Sequence, residues 1–481
     1  MDQVAEEPGN RTADEEMTDF ETVMWILDSD PRLSSAFANL TVLDRPPERT
    51  ELRRRMEAAT VVVPKLRQRV VEQGSPLATP MWREDPDFDI DHHIRWVDLG
   101  DGDLDELVAS LSARPFDRER PLWEFIVVTG LPEGRAAMIQ RLDHTITDGE
   151  GGIRLSAQFL DLERDPARPT VRADDTGRTA GVGADPAREG PEPDDAPSDG
   201  AGTLADRAVE NLRGIASAPG AALRSIASVP NRTTQLLDSV VNAFQQLAVD
   251  GRRSPLWTER STQRWFGRTT LHLDDVKQAA HALGGTVNDL FVTGALAAAS
   301  QVHRDAGRPT EELRVAIPIS TRTDRSAGGN AFTPAHTLLP AGDLTIEERF
   351  GAVHERVGRV KRGESSVSID AAAVAVRLMP ASALIGFAAR TAGAVDFVCS
   401  NVRAAPFDLY IAGSLLEANY PLGPLVNTAF NLTTMSYRGW MFLGLVADPV
   451  AVRDPDALLT ALDDAYSELL AAAGVTRRAA P

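Results

Sequence analysis

Residues 136–149 read AAMIQRLDHTITDG, and they combine several local signals in one short stretch. The alternating, mostly apolar residues of Ala136–Leu142 predict a strand. Glycines follow from Gly149 onward, and an apolar pattern at helical spacing begins at Ile153. A strand, a glycine-rich turn and a helix hold a side chain in the turn on a rigid support. We therefore predict that this turn presents His144.

The His144 side chain has the chemistry of a general base. Histidine titrates near neutral pH, so its imidazole can remove a proton from a hydroxyl or an amine. Asp148 and Gly149 would shape the loop and orient the ring. The spacing from His144 to Asp148 is not specific, because 8 histidines and 70 acidic residues in 481 positions yield about one such pair by chance. A partly buried histidine bonded within its own loop explains the spacing at least as well.

Composition excludes several classes of protein. The net charge of −20 makes binding to nucleic-acid phosphates unfavourable. The single cysteine, Cys399, rules out an intramolecular disulfide and a cysteine-rich metal site, and it fits a cytoplasmic compartment. Residues 1–20 lack the pattern of a signal peptide, and no apolar run reaches the length of a membrane span. We therefore expect any contact with the inner membrane face or a lipid droplet to be peripheral.

The adjacent histidines His92 and His93 raise the question of a metal site. They fall in an alternating stretch, Asp91–Val97, which predicts a strand with the two rings on opposite faces. Two such rings cannot readily share one ion, so we interpret them as a surface histidine and a core histidine. No metal is predicted anywhere in the chain.

Changes in composition divide the chain into four segments. Asp, Gly, Pro, Ala and Arg dominate residues 165–203, which predicts a disordered acidic linker. Apolar residues at helical spacing in residues 204–255 predict an amphipathic helical connection. The flanking segments, 1–164 and 256–481, mix strand and helix patterns. We interpret them as two α/β domains.

Further motifs flank the His144 turn on both sides. In chain order they are Pro121-Leu122-Trp123-Glu124, Thr286-Val287-Asn288-Asp289, Pro318-Ile319-Ser320-Thr321-Arg322, Gly329-Asn330, Ser400-Asn401-Val402, Ser436-Tyr437 and Asp448. Together with the turn, which is similar to a His-His-x-x-x-Asp-Gly motif, they resemble the bifunctional wax ester synthase/diacylglycerol acyltransferase family in the same order. That family belongs to the CoA-dependent acyltransferases, with chloramphenicol acetyltransferase and peptide-synthetase condensation domains. The resemblance covers nearly the whole chain outside the linker.

The resemblance implies an α/β fold of two chloramphenicol-acetyltransferase-like domains with an active-site tunnel between them. It implies that His144, which matches the second histidine of the motif, deprotonates an acceptor hydroxyl that then attacks the thioester of acyl-CoA. Acyl-CoA would be a substrate, and neither a permanently bound cofactor nor a metal would be needed. The acceptor would be a diacylglycerol or a long-chain alcohol, and the product a triacylglycerol or a wax ester.

Other positions have both a functional and a structural interpretation. Asp148 would pair with a basic residue and fix the loop. Asn288 and Asp289 would lie near the tetrahedral intermediate, or they would serve only as the cap and first turn of a helix. Ser400 and Asn401 would line the cleft, or they would only cap a strand. Pro121, Leu122 and Trp123 are predicted to form core or tunnel wall.

One position departs from the family motif. Asp143 stands where the family usually has its first histidine. Catalysis can survive this change, because the second histidine carries the chemistry in related enzymes. The departure keeps two alternatives open: an acyltransferase for another small alcohol or amine, and a non-catalytic protein that binds acyl-CoA or lipid. The sequence does not indicate an oligomeric state.

Overall fold

The computed structural model describes residues 14–74, 78–147, 152, 155–166, 254–320, 332–362 and 380–479. Asp148 and Gly149 lie outside these ranges. So do nearly all of the predicted linker, residues 165–203, and of the predicted helical connection, residues 204–255. What the sequence predicts for these positions stays a prediction.

The secondary-structure elements of the described residues are numbered here in chain order. The first set comprises β1 (Glu15–Glu16), α1 (Asp19–Leu27), β2 (Phe37–Leu43), α2 (Arg49–Val62), β3 (Gln68–Val71), β4 (Met81–Glu84), α3 (Ile90–His93), β5 (Ile94–Asp98), α4 (Leu104–Ala113), β6 (Trp123–Thr129) and β7 (Ala136–Leu142). The second set comprises β8 (Trp265–His272), α5 (Leu273–Ala282), α6 (Val287–Asp305), β9 (Glu312–Ser320), β10 (Phe332–Pro340), α7 (Ile346–Lys361), α8 (Ala381–Ala392), β11 (Phe397–Arg403), β12 (Tyr410–Ile411), β13 (Ser414–Leu422), β14 (Phe430–Tyr437), β15 (Trp440–Ala447) and α9 (Pro455–Ala472).

The first large sheet has the strand order β12-β13-β2-β7-β6-β5. All of β7 and nearly all of β6 are buried, as expected for central strands covered on both faces. The strand predicted at Ala136–Leu142 is therefore confirmed. In the ladder Trp123 lies opposite Leu142, so β6 begins where β7 ends. Leu122 and Trp123 are buried, as predicted for core, and Trp123 Nε1 donates to the Leu66 carbonyl at 2.8 Å.

The second large sheet has the strand order β10-β9-β11-β14-β15-β8. Helices α6, α7 and α9 pack against it through one hydrophobic cluster. Helices α6 and α9 approach closely at Gly294, where a Cβ atom would lie 2.2 Å from Cε1 of Tyr466. The Tyr466 hydroxyl donates to the Phe291 carbonyl at 3.0 Å, so glycine at 294 allows both the packing and the hydrogen bond.

Strand β13 joins the two sheets. It comes late in the chain, yet it pairs with β2, and Leu422 lies opposite Ala38. The chain then returns to the second sheet through β14. A Cβ atom at Gly444 of β15 would lie 2.0 Å from the Pro421 carbonyl oxygen of β13, so the two sheets meet backbone to backbone. Residues 410–422 therefore belong to the first sheet although they fall within the predicted 256–481 segment.

The strand predicted at Asp91–Val97 is wrong in its first half. The Asp89 carboxylate accepts a hydrogen bond from Asp91 N and caps the short helix α3, and the strand β5 begins only at Ile94. Burial of the two histidines agrees with the prediction, because His92 is exposed and His93 is buried. The His93 ring stacks on Trp123 with centroids 4.5 Å apart.

No single helix within the described residues is both long and apolar enough to cross a membrane. Helices α5 and α6 pass that test only as a pair, and they are bent by 91° relative to each other.

Candidate active site

The His144 turn begins directly after β7 and is fixed by hydrogen bonds from Asp143. The backbone NH of Asp143 donates to the Leu122 carbonyl at 3.1 Å, and Ile146 N donates to the Asp143 carbonyl at 3.0 Å. Oδ1 of Asp143 accepts from Thr145 N at 2.9 Å and from Thr145 Oγ1 at 2.7 Å. An aspartate that bonds to the backbone two residues later forms a tight local turn. Asp143 and Thr145 are both buried.

The imidazole of His144 packs against Phe37. The ring centroids are 4.6 Å apart and the planes are inclined by 39°. Phe37 is the first residue of β2 and lies opposite Leu142 in the ladder. The sheet register therefore places the aromatic ring beside the turn that follows β7, and this contact restricts the orientation of the imidazole.

A cavity lies beside this turn, where the first sheet meets the β13–β14 connection and β15. Its apolar wall includes Phe37, Leu122, Leu425 and Val446. Charged side chains that border the cavity are Asp28, Arg114, Arg118, Arg141, Asp143 and Arg264. A concave site with an apolar wall and a few convergent polar groups is the usual form of a small-molecule site.

The buried Glu124 forms an ion cluster with three arginines, of which Arg114 and Arg141 border the cavity. Its carboxylate accepts from Arg141 at 2.7 Å, from Arg95 at 2.8 Å and from Arg114 at 2.5 Å. Burial would raise the pKa of Glu124, but hydrogen bonds from Arg114 and Arg95 and the charge of Arg141 lower it below its usual value. Arg141 is the second-last residue of β7, so the cluster anchors the strand that carries the turn.

Asn288 and Asp289 lie in the first turn of α6. The N-cap of this helix is Thr286, not Asn288. The buried Asp289 carboxylate accepts from Thr286 N at 2.9 Å, from Thr286 Oγ1 at 2.8 Å and from His354 Nδ1 at 2.8 Å. Nδ2 of Asn288 is buried and has no hydrogen-bond partner among the described residues. Asp289 thus serves as a cap, while the Asn288 amide is available as a donor.

Ser400 and Asn401 lie inside β11, whereas the sequence motif placed them at a strand end. They pair in parallel register with Thr433 and Thr434 of β14. Asn401 is exposed and Ser400 is half-buried. The described contacts of these two residues, like those of Asn288 and Asp289, do not connect them to His144.

Several residues around the turn are absent from the sequence prediction. Asp28, Ser35 and Arg118 border or support the same cavity, together with Phe37. None of them belongs to a motif, because each reaches the site through the pairing of β2 with β7 or through the packing of α1. Only the position of Phe37 at the start of a buried strand offers a local signal.

Cys399 is buried, and burial raises the pKa of its thiol far above the usual value. A buried thiol with a raised pKa is unreactive. Packing in the core is therefore enough to explain the presence of Cys399. No group of three His, Cys, Asp or Glu side chains suited to a metal ion occurs within the described ranges.

Comparison with other chains places this fold in a known group of structures. A wax ester synthase/diacylglycerol acyltransferase from Marinobacter aquaeolei VT8 superposes with a TM-score of 0.63 at 20% identity, covering 96% of this chain and all of the other. A starter condensation domain of rhizomide synthetase, in complex with C8-CoA, has a TM-score of 0.56 at 13% identity, covering 97% and 96%. These likenesses confirm the predicted fold class, a chloramphenicol-acetyltransferase-like α/β fold with two sheet-rich parts.

Sequence comparison identifies the family. The model of the wax ester synthase/diacylglycerol acyltransferase catalytic domain matches residues 17–291, and that of the family's C-terminal domain matches residues 328–470. A putative diacylglycerol O-acyltransferase of Mycobacterium tuberculosis is 30% identical over 457 residues, or 93% of this chain and 90% of the relative. A second from the same species is 28% identical, covering 88% and 89%. The chain therefore belongs to the wax ester synthase/diacylglycerol acyltransferase family of O-acyltransferases.

Proposed function

We propose that this chain transfers a fatty acyl group from acyl-CoA to the hydroxyl of a diacylglycerol or a long-chain alcohol, with His144 as the general base. The observation that carries the role of His144 is the turn itself. Asp143 and Thr145 fix the backbone on both sides of the histidine, and its ring packs against Phe37, a residue of the cavity wall. A general base needs such a fixed orientation toward the proton that it removes.

In the proposed reaction, an imidazole nitrogen of His144 removes the proton of the acceptor hydroxyl. The acceptor oxygen forms a bond to the thioester carbon and gives a tetrahedral intermediate. The carbon–sulfur bond then breaks, and the CoA thiolate takes the proton from the imidazolium. The products are an ester and free CoA, with no covalent acyl-enzyme and no metal. The buried, unpartnered Nδ2 of Asn288 is the donor that we assign to the oxyanion of the intermediate.

The test is an assay of free-thiol release with a panel of acyl-CoAs and acceptors. The panel contains diacylglycerol, long-chain alcohols, short alcohols and amines. We expect the highest rate with diacylglycerol or a long-chain alcohol, and we expect His144→Ala to lower kcat by at least about 100-fold, the usual contribution of a general base. His354→Ala is the matched control, because this histidine also contacts an aspartate but is half-exposed on α7.

The outcomes separate the alternative functions. Acceptor-dependent thiol release that survives in His144→Ala contradicts the general-base role. A higher rate with a short alcohol or an amine assigns the enzyme to another acceptor. Saturable binding of acyl-CoA without release for any acceptor indicates a non-catalytic binding protein.

We further propose peripheral contact with a membrane or lipid-droplet surface. Within the described part of the chain, the exposed large apolar side chains are Val61 (71%), Val62 (62%), Leu162 (70%) and Phe407 (52%). The segments that carry Leu162 and Phe407 are joined by backbone hydrogen bonds between Asp161 and Tyr410 at 2.8 and 2.9 Å. Arg55 of α2 forms an ion pair with Asp161. Flotation with lipid vesicles should decrease for the Leu162→Asp/Phe407→Asp variant, and unchanged flotation would contradict the proposal.

A further inference from the structure

Asp143, the residue that departs from the family motif, faces a second carboxyl group. Asp28, the C-cap residue of α1, borders the same cavity, and its side chain is hydrogen-bonded to that of Asp143. Two ionised carboxylates only accept hydrogen bonds, so a bond between them requires one proton held by the pair. The pair then has a single negative charge.

The remaining hydrogen bonds of the pair hold both side chains in place. Asp28 accepts from Ser35 N at 2.6 Å and from Ser35 Oγ at 3.1 Å. Asp143 accepts twice from Thr145, as described above. Each carboxyl group is therefore tied to its own chain segment, and the bond between them connects the end of α1 to the His144 turn.

Burial raises the pKa of Asp28 well above its usual range, and the charge of Asp143 raises it further. The hydrogen bond from the Ser35 backbone NH acts in the opposite direction but does not cancel the shift. The proton of the pair therefore lies on Asp28, and Asp28 donates it to the Asp143 carboxylate.

The charged groups around the pair leave this arrangement intact. Arg118 interacts with both carboxyl groups, but its guanidinium stacks on Trp25 at 3.5 Å and donates to the Trp25 carbonyl at 3.0 Å. Arg114 and Arg141, on the same cavity wall, are bonded to Glu124. The other arginine of the wall is Arg264, which donates to the Gln263 carbonyl. Helix α8, which packs on α1, contributes Arg390, which is exposed.

We propose that Asp28 is a positioning residue for His144: its protonated carboxyl group holds the Asp143 carboxylate, which fixes the turn that presents the imidazole. Together the two aspartates take over the supporting role of the histidine that the family usually has at position 143. The inference rests on the proposed function of His144. It adds a residue from a distant part of the chain to the site.

The proposal predicts a pH-dependent rate. When the pH rises through the raised pKa of Asp28, the pair loses its proton and two adjacent carboxylates repel each other. The turn that both groups hold in place is then displaced, and kcat falls. Asp28→Asn removes this titration, because the amide is neutral and its NH₂ group donates to Asp143 as the protonated acid does.

Kinetics of three variants test this role. We expect Asp28→Asn to keep kcat within about threefold at neutral pH and to lose the alkaline decrease of the wild type. We expect Asp28→Ala to lower kcat by about 10- to 100-fold with little change in KM, because a misplaced base is costly. Asp30→Asn is the matched control, since Asp30 lies in the same loop but pairs with Arg32. The proposal is overturned if Asp28→Ala has the same kcat as Asp30→Asn at every pH. It is also overturned if Asp28→Asn folds but loses as much kcat as Asp28→Ala.

Thermal unfolding tests the shared proton without using activity. A group whose pKa is raised on folding contributes stability at low pH and loses it as the pH rises through the raised value. The Tm of Asp28→Asn minus that of the wild type should therefore increase from pH 4 to pH 9. A constant difference overturns the proposal even if His144→Ala is inactive. If His144→Ala is active and the Tm difference still increases with pH, the proposed function is contradicted. The shared proton of Asp28 and Asp143 is then not contradicted.

Discussion

His144 and His354 each lie beside a buried aspartate, and the two pairs differ in what the aspartate holds. Asp143 bonds to Thr145 and to Asp28, and it thereby fixes the turn in which His144 packs against Phe37. Asp289 instead bonds to the N-cap Thr286 and directly to His354, whose side chain is half-exposed on α7. In the first case the acid orients the backbone. In the second it stabilises a helix end and a contact between helices.

A short distance between a histidine and a carboxylate therefore does not by itself identify a general base. His354 has the more direct bond to an acid, yet the cavity described here is bordered by the Asp143 turn. What distinguishes the proposed base, His144, is a turn whose backbone is fixed and whose Asp143 borders the cavity. Substitutions at each of the two aspartates and their partners test this difference.

The largest stability change should come from Asp289→Ala. The substitution removes a helix cap and leaves the Thr286 and His354 donors without their buried acceptor, so we expect the free energy of unfolding in urea to fall by about 2–4 kcal/mol. Asp274→Ala is the control, because Asp274 is an exposed residue in the first turn of α5 that pairs with Lys277. An equal loss in both variants would show that Asp289 is an ordinary first-turn charge.

A smaller change, in activity, should come from Thr145→Val. This nearly isosteric substitution removes the hydroxyl that donates to Asp143 at 2.7 Å and keeps the backbone NH. We expect kcat to fall by about tenfold, equivalent to about 1.4 kcal/mol, because the carboxylate is held less firmly. Thr145→Ser keeps the hydroxyl and should remain close to the wild-type rate. A Thr145→Val enzyme with wild-type kcat would contradict the role assigned to the Asp143 turn.

The smallest change should come from His354→Ala. Its partner Asp289 keeps both bonds from Thr286, and the His354 side chain is itself half-exposed to water. We expect the free energy of unfolding to change by less than about 1 kcal/mol, with the same kcat as the wild type. If His354→Ala lost as much kcat as His144→Ala, the purely structural role assigned to His354 would be wrong.

The sequence predicted the elements that follow from a local pattern of residues, and it missed those that depend on partners elsewhere in the chain. The continuous burial of β7 and the buried Leu122 and Trp123 follow from apolar runs that can be read locally. Strand β13 was not predicted, because Pro421 argues against a strand and its partner β2 is far away in the chain. The strand predicted from Asp91 failed at its start because the Asp89 side chain caps a helical turn.

By itself, the sequence determined the mixed α/β class, the family and the histidine at the centre of the candidate site, because these depend on residue order and local periodicity. Only the tertiary structure decided which groups surround that histidine. The pairing of β2 with β7 brings Phe37 to the ring, and the packing of α1 brings Asp28 to Asp143. The physical reason is that a hydrogen bond between two carboxyl groups requires both proximity and burial, and neither is encoded near Asp143 in the chain.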